Sequence, residues 1–423
     1  MSRPRVPTLR RTRLVALLGP AFVAAIAYVD PGNVAANLTA GAEFGYLLVW
    51  VLVLANVMAV LVQYLSAKLG VVTGRSLPEV LADRMPRGAR LAYWGQAEVV
   101  AMATDLAEVI GGAIALHLLF GVPLVLGGLI TGVVSMAVLV IQQRRGQRVF
   151  ETVITSMLGI ITIGFCAGLL FAPPDTGAVL GGLVPRLAGP DSVLLAASML
   201  GATVMPHAIY LHSSLARDRV RFDRRERERQ GLVGGPEGSA STHRLLAATR
   251  LDVVLALVIA GGVNIAMLLL AAANLPGRAG TDTIEGAHAA ISTSLGPVVA
   301  VLFGIGLLTS GLASTSVGAY AGAEIMAGLL RVRVSLLTRR LVTLVPAVLL
   351  LATDLSPTWL LVLSQVVLSF GIPFAMIPLV RVTRDARLLG EHRNALGTQL
   401  AAWAVAAVIV TLNVALLWLT FAG

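Results

Sequence analysis

Asp30-Pro31-Gly32-Asn33 interrupts the first long apolar stretch of the sequence, between LVALLGPAFVAAIAYV and VAANLTAGA. An aspartate near the middle of a membrane span costs roughly 2.5–3.5 kcal/mol on insertion scales. Proline removes a backbone donor there, and glycine weakens the helix. A charge and a helix break at one depth amount to a binding site for a cation. A second interruption stands in the sixth apolar segment, SVLLAASMLGATVMPHAIYLHSSLA, with Gly201 and Pro206 near its middle and Met205 just before the proline. The two breaks together offer the Asp30 carboxylate, the Asn33 amide oxygen, the Met205 thioether and carbonyls freed near Ala202. Oxygen donors alone would suit Mg²⁺ or Ca²⁺. A thioether bonds poorly to those hard ions. The mixed set suits manganese or iron without excluding cobalt, zinc or cadmium, and its sulfur discriminates against the abundant hard ions. Met205 alone would read as packing, and Pro206 alone as an ordinary kink. Its place at the break beside Pro206, with two breaks in corresponding positions, is what makes Met205 a ligand candidate.

Further titratable residues lie in apolar segments. Glu98, Asp105 and Glu108 are spaced by seven and three in the third one, which puts them on one helical stripe. Acids inside a membrane face a wet path, and chains of them are typical of proton relays. His207 and His212 follow the second break, and histidine exchanges protons near neutrality. Arg219 and Arg340, near segment ends, are candidate exit partners. Glu98 reads equally well as interfacial, and His212 as a packing residue. His117 and His288 read as peripheral. Cys166 is the only cysteine, which excludes an internal disulfide and a thiolate zinc cluster. His207 and His212 lack the HExxH arrangement of a zinc protease, and no nucleophile–base pair is evident. An enzyme is not expected, nor a cofactor beyond a transported ion and co-transported protons.

The elements that must hold these residues are legible from composition. Of 423 residues, 57% are hydrophobic and 13% charged, and mean hydropathy is +0.85. Apolar runs of about twenty residues recur throughout, so an all-α polytopic membrane protein is expected. Eleven spans are predicted near 14–42, 46–70, 93–119, 123–142, 150–172, 192–216, 248–273, 297–329, 338–354, 357–381 and 396–421, with one long polar connection at 217–246. With the N-terminus in the cytoplasm, only Arg186 and Arg278 among the 32 lysines and arginines fall on the opposite side, as the positive-inside rule requires. The net charge of +10 is then an orientation signal and does not imply nucleic-acid binding. The run Arg217–Arg229 reads as a solvated loop more readily than as an anionic-lipid patch. The basic arm before the first segment resembles a signal peptide, but the break and the spans that follow predict retention. The chain is expected in the cell (inner) membrane with its C-terminus extracytoplasmic, in contact with the lipid bilayer and with no obligate protein partner.

The breaks lie half a chain apart. Spans 1–5 and 6–10 each open on an interrupted helix, and five spans per half invert one half relative to the other. This predicts a single transmembrane domain over 1–423, with inverted repeats about 14–172 and 192–381 and an extra helix about 396–421. Carbonyls freed at the breaks require burial in protein or a wet cavity.

Four motifs carry a family resemblance: DPGN at 30–33, ATDLAEVIGG at 103–112, GATVMPHAIYLHSSL at 201–215 and LSQVVLSFGIPFAMIPL at 363–379. The chain resembles, over nearly its whole length, the Nramp family of proton-coupled divalent-metal transporters, and most closely its bacterial manganese symporters. The resemblance implies a LeuT-like 5+5 inverted repeat with discontinuous helices 1 and 6, plus an eleventh helix. It implies metal ligation by Asp30, Asn33, Met205 and the Ala202 carbonyl, with the Ala27 carbonyl and Gln365 joining in some conformations. It assigns proton transfer to Asp30, His207, Asp105 and Glu108. Ala208 departs from the asparagine that many members carry after the MPH motif. Met205 sets the chain apart from magnesium- and aluminium-transporting relatives, which lack that methionine. The expected function is import of Mn²⁺, and also Fe²⁺, with proton symport by alternating access. The alternative is a LeuT-like sodium-coupled symporter of a small organic solute, which would gain nothing from Met205.

Overall fold

A computed structural model describes residues 19–422 apart from 230–238, 279, 282, 333 and 354. The expected start of the first span at 14–18, the basic arm before it and Arg333 therefore lie outside the described residues. Among the described residues every regular element is helical. In chain order these are α1 (Pro20–Ala25), a 3-10 turn (Ile26–Val29), α2 (Pro31–Phe44), α3 (Val49–Thr73), α4 (Leu77–Arg84), α5 (Arg87–Phe120), α6 (Leu124–Arg145) and α7 (Gln147–Cys166). The short α8 (Gly168–Phe171) and α9 (Thr176–Gly181) lead to α10 (Pro190–Thr203), α11 (Pro206–Arg229) and α12 (Ser239–Asn274). Then come α13 (Ile284–Leu295), α14 (Pro297–Leu330), α15 (Leu336–Leu351), α16 (Pro357–Arg384), α17 (Ala386–Leu389), a second 3-10 turn (Gly390–His392) and α18 (Leu396–Ala422).

Nine helical stretches among the described residues are long and apolar enough to cross a membrane. They correspond to nine of the eleven expected spans. The first span is divided into short pieces, and the ninth is the 16-residue α15 with Pro346 inside it. Large apolar side chains such as Val57, Ile163, Leu170, Val258 and Leu349 are exposed, as lipid-facing surfaces require.

Both expected breaks exist, and each includes an expected residue, Asp30 or Met205, while the prolines and glycines beside them are helical. The first lies at Val29–Asp30, where Asp30 is extended (φ −70°, ψ 167°) and Pro31 already begins α2. The second lies at Val204–Met205, between Thr203 and Pro206. Each proline occupies the first helical position, where its missing N–H costs nothing because that donor has no intrahelical acceptor. Gly32 and Gly201, read from sequence as helix breakers, are helical. Gly32 instead clears space for α16: a Cβ there would sit 1.8 Å from Gln365 Nε2.

The polar connection expected at 217–246 is also corrected. α11 continues as helix to Arg229, and α12 begins at Ser239. Arginine and glutamate are good helix formers, so a charged run can extend a span into water without becoming a loop. Arg217 is buried in an ion-pair cluster with Glu79 of α4 (2.9 Å), Asp218 (2.8 Å) and Glu324 of α14 (2.8 Å). Asp83 pairs with Arg75 and Arg331, and Arg84 pairs with Asp385. The hydrogen bond from Arg75, with Arg331 adding to it, holds the Asp83 carboxyl below the usual carboxylate range. These contacts gather the ends of α3, α14 and α16 on one face of the bundle.

In the interior, α14 packs along α5 and α7, while α12 runs beside α2 and α3. Small residues set the close approaches. A Cβ on Gly111 of α5 would lie 2.1 Å from the Pro31 Cβ, so α5 braces the start of α2. Gly111→Val should displace Pro31 and lower stability by about 1–3 kcal/mol, the usual cost of overpacking. Thermal unfolding of the purified protein checks this; an unchanged midpoint would show that α2 is not braced there.

Candidate functional site

The first break is organised by its own residues. Asp30 caps α2, its Oδ1 accepting from the Asn33 backbone N–H at 2.8 Å and from Asn33 Nδ2 at 2.7 Å. A carboxylate at this position satisfies a helix-terminal amide that otherwise lacks a partner. Asn33 Nδ2 also donates to the Ala202 carbonyl at 3.0 Å, which joins the first break to the end of α10. Asp30, Asn33, Ala27, Ala202 and Met205 all have zero exposure, and Gln365 has 1%. Gln365 comes from α16 and lies against Gly32, on the first turn of α2. The residues expected to hold metal are thus buried, and hydrogen bonds or close packing tie Asp30, Asn33, Ala202 and Gln365 together.

Three oxygens in this group are unmatched. Asp30 Oδ2, Asn33 Oδ1 and Gln365 Oε1 are buried without a hydrogen-bond partner. Buried polar atoms are nearly always paired, and an unpaired one costs free energy. All three are acceptors without a donor, so a cation could satisfy each of them and an anion could not. Other backbone oxygens around the break are already engaged: Tyr28 O accepts from Asn264 Nδ2 at 2.6 Å, and Val29 O accepts from Ser310 Oγ. These bonds hold the unwound segment in shape without using the three free oxygens.

The acids of α5 face α14 and α15. Asp105 and Glu108 are buried. Gly318 of α14 admits the Glu108 carboxylate, whose Oε2 would stand 2.8 Å from a Cβ at that glycine. Arg340 Nη1 lies 3.3 Å from Asp105 Oδ1, and Arg340 Nε donates to Ser135 Oγ at 3.1 Å. Arg340 has zero exposure although it stands in the second turn of α15, near a segment end as expected; a buried carboxylate compensates it. Its neighbour Arg339 pairs with Glu98 at 2.9 Å, so Glu98 has an ion-pair partner on α15. His207 approaches the same helix, with Nδ1 3.5 Å from Thr104 Oγ1 and Nε2 buried without a partner.

The remaining expected proton-pathway residues stand in other groups. His212 Nδ1 contacts Gln63 Oε1 at 2.8 Å, and Gln63 Nε2 donates to the Tyr28 hydroxyl at 2.7 Å. This chain leads to the first break, not to the acids of α5. Arg219 lies 3.5 Å from Glu151 of α7, near the start of α1. There the Asp252 carboxylate accepts from the Gly19 and Ala21 amides, both at 3.0 Å. Sequence reasoning missed Gln63, Asn37, Asn264, Glu151 and Asp252. Of these only Asn264 is a lone polar residue in an apolar stretch, a signal that could have found it; the others have polar neighbours in sequence.

Residues 21–419 match the family described as Nramp, natural resistance-associated macrophage protein-like. Over 407 residues the chain is 61% identical to a divalent metal cation transporter MntH of Mycobacterium tuberculosis, covering 96% of this chain and 92% of that protein. Over 411 residues it is 46% identical to the MntH of Bacillus subtilis, covering 96% and 93%. Among solved structures it resembles the crystal structure of the Eremococcus coleocola manganese transporter in complex with an aromatic bis-isothiourea substituted compound. That likeness has a TM-score of 0.84 at 28% identity, covering 97% of this chain and 88% of that one.

Proposed function

We propose, for a chain that belongs to the Nramp family and is a divalent-metal transporter and not an enzyme, that its cargo is Mn²⁺, with Fe²⁺ also accepted. Uptake into the cytoplasm proceeds by alternating access with proton symport. The observation that carries this reading is the group of three buried, unpartnered oxygens on Asp30, Asn33 and Gln365. Asn33 Nδ2 now occupies both Asp30 Oδ1 and the Ala202 carbonyl. Turning that amide over would present Asn33 Oδ1, Asp30 and the Ala202 carbonyl to an entering ion in one movement. Met205 and, in some conformations, the Ala27 carbonyl complete the ligand set in this reading.

The proton is carried by Asp30 and the α5 acids, with His207 beside them. Asp105–Arg340 is the paired charge that accepts the change. His212 is assigned to the polar chain that reaches Tyr28 at the first break, and Arg219 to the ion pair near the start of α1. A potential of ~100 mV is worth about 2.3 kcal/mol per charge, so a divalent ion gains roughly twice that. At about 1.4 kcal/mol per decade the potential alone supports about three decades of accumulation. The acid stripe then serves coupling and direction more than raw driving force. The sodium-coupled organic-solute alternative gains nothing from the unpartnered oxygens or from relatives that are metal transporters.

In the same reading the bundle has eleven spans arranged as two inverted repeats of five plus one, with the broken pieces around Asp30 as span one and α15 as span nine. The N-terminus is cytoplasmic, the C-terminus extracytoplasmic, and the membrane is the cell (inner) membrane. The arginine ion pairs that gather the ends of α3, α14 and α16 support this orientation.

The test is uptake of a panel of divalent ions into proteoliposomes carrying an internal pH dye. Mn²⁺ entry with internal acidification is expected, with Mg²⁺ and Ca²⁺ excluded; metal entry without acidification would remove the symport part. In the same assay Glu108→Gln should cut metal-driven acidification by about a hundredfold, the low end for a single positioned proton-transfer group, while Mn²⁺ binding changes by less than about threefold. Unimpaired acidification would place the proton route elsewhere.

A further inference from the structure

One cluster of potential metal ligands shares no residue with the proposed transport site. His243 stands in the first turns of α12, while Glu391 and His392 stand in the 3-10 turn between α17 and α18. Nearly 150 residues of sequence separate them, yet one ligand atom from each lies within 4.8 Å of the other two. The two imidazole rings meet edge to face with centroids 4.9 Å apart, and Glu391 Oε1 is 3.5 Å from His392 Nε2. The His392 side chain is only 11% exposed, whereas that of Glu391 is 66% exposed, so the cluster has a sheltered floor and an open mouth.

The scaffold beneath it is firm. Asn394 N–H donates to Thr383 O at 3.0 Å and Asn394 Nδ2 to Thr383 Oγ1 at 2.9 Å. Asn394 Oδ1 accepts from Lys68, the only lysine of the chain, at 3.0 Å. Asp385 caps α17 through the Arg387 amide at 2.8 Å. His392 is therefore carried on a turn fixed to α3 and α16, and His243 on a helix. Sites on rigid elements hold ligand geometry better than sites on free loops.

We propose that His243, Glu391 and His392 form a second cation site, distinct from the transport site, for an ion of the Zn²⁺, Co²⁺ or Ni²⁺ class. Ligands of a tetrahedral zinc ion stand about 3.3 Å apart, so side-chain rotations of about 1.5 Å close the cluster around an ion, with water in the fourth position. Two imidazoles and one carboxylate bring a single negative charge, and Arg244 and Arg393 adjoin the histidines in sequence. The site therefore selects by coordination strength and not by field. That favours ions late in the divalent series over Mn²⁺, and excludes Mg²⁺ and Ca²⁺. A bound ion would tie the start of α12, which packs along α2, to the connection between α16 and α18. Its location on the cytoplasmic face, where delivered metal accumulates, rests on the orientation proposed above; the binding itself does not.

Metal binding to the full-length protein, purified without a histidine tag, tests this by equilibrium dialysis and by the visible spectrum of bound Co²⁺. Wild type should bind one more Co²⁺ or Zn²⁺ than His243→Ala/His392→Ala, whose affinity at this site should fall at least hundredfold. Asp30→Ala should retain the extra ion and its Co²⁺ spectrum. Should the double variant fold poorly, Glu391→Gln should weaken the same ion about tenfold and shift that spectrum. Equal stoichiometry in wild type and a folded double variant, or a Co²⁺ spectrum indifferent to Glu391→Gln, overturns the proposal. Since binding is read without flux, failed uptake would count against the transport reading alone, and a missing second ion against this site alone.

Discussion

Asp30→Asn should lower the initial rate of Mn²⁺ uptake in proteoliposomes at least hundredfold while leaving the folded protein intact. The substitution keeps a side-chain oxygen at the cap of α2, so the bond from the Asn33 backbone amide survives. It removes only the negative charge. Every other donor in the group is neutral: the Asn33 and Gln365 amide oxygens, the Ala202 carbonyl and the Met205 thioether. A divalent ion leaving water for a fully buried site then meets no compensating charge from its ligands, and opposite charges attract most strongly where the surroundings screen least. Hundredfold corresponds to about 2.7 kcal/mol, a modest claim for that loss. Asp30→Ala should be equally inactive and less stable by about 1 kcal/mol, because it also deletes the cap. Uptake and thermal unfolding on the same preparations separate the two roles. Wild-type flux in Asp30→Asn would remove the carboxylate from the ligand set.

The position of this carboxylate was legible in the sequence because two facts coincide at Asp30-Pro31: an acid too costly for lipid, and a proline that cannot stand inside a helix. The prolines also located both helix starts. They did not locate the unwound residues, which precede them, because a proline fits the first helical turn without strain. Gly32 and Gly201 were misread for a different reason. Glycine weakens a helix and also permits close packing, and only the partner decides which matters. That partner is Gln365 for Gly32 and Ser369 for Gly201, both on a helix remote in sequence.

Arg339 and Arg340 stand near the expected start of the ninth span, and what the sequence did not show is their partners, Glu98 and Asp105 of α5. A charge count along the chain cannot see a counter-charge supplied by another helix. Charge in 217–229 suggests a loop, although its residues favour helix. The polar chain from His212 through Gln63 to Tyr28 joins α11, α3 and the first break. No local pattern marks it, because each helix contributes a single residue.

Met205 is where local reading and three-dimensional reading bear on one atom. Its side chain is wholly buried at the second break, immediately before Pro206. Met205→Ala should reduce Cd²⁺ uptake at least tenfold and Mn²⁺ uptake by about threefold, and should let Mg²⁺ or Ca²⁺ compete about tenfold better. With the sulfur gone, the ligands are all oxygen, the preference of the hard ions, and the soft donor that favours cadmium is lost. The same truncation leaves a hole, and buried methionine-to-alanine changes cost about 2–5 kcal/mol. A fall in total activity alone would therefore not distinguish a ligand from a packing residue. Met205→Leu makes that distinction, since a volume-conserving swap costs less than about 1.5 kcal/mol. Leucine should restore most of the thermal stability and none of the cadmium preference. Competition of Mg²⁺ and Ca²⁺ against Mn²⁺ uptake, measured side by side in the three proteins, reads the outcome. A leucine variant that discriminates as wild type does would make Met205 a spacer and leave selectivity to the oxygens of Asp30, Asn33 and Gln365.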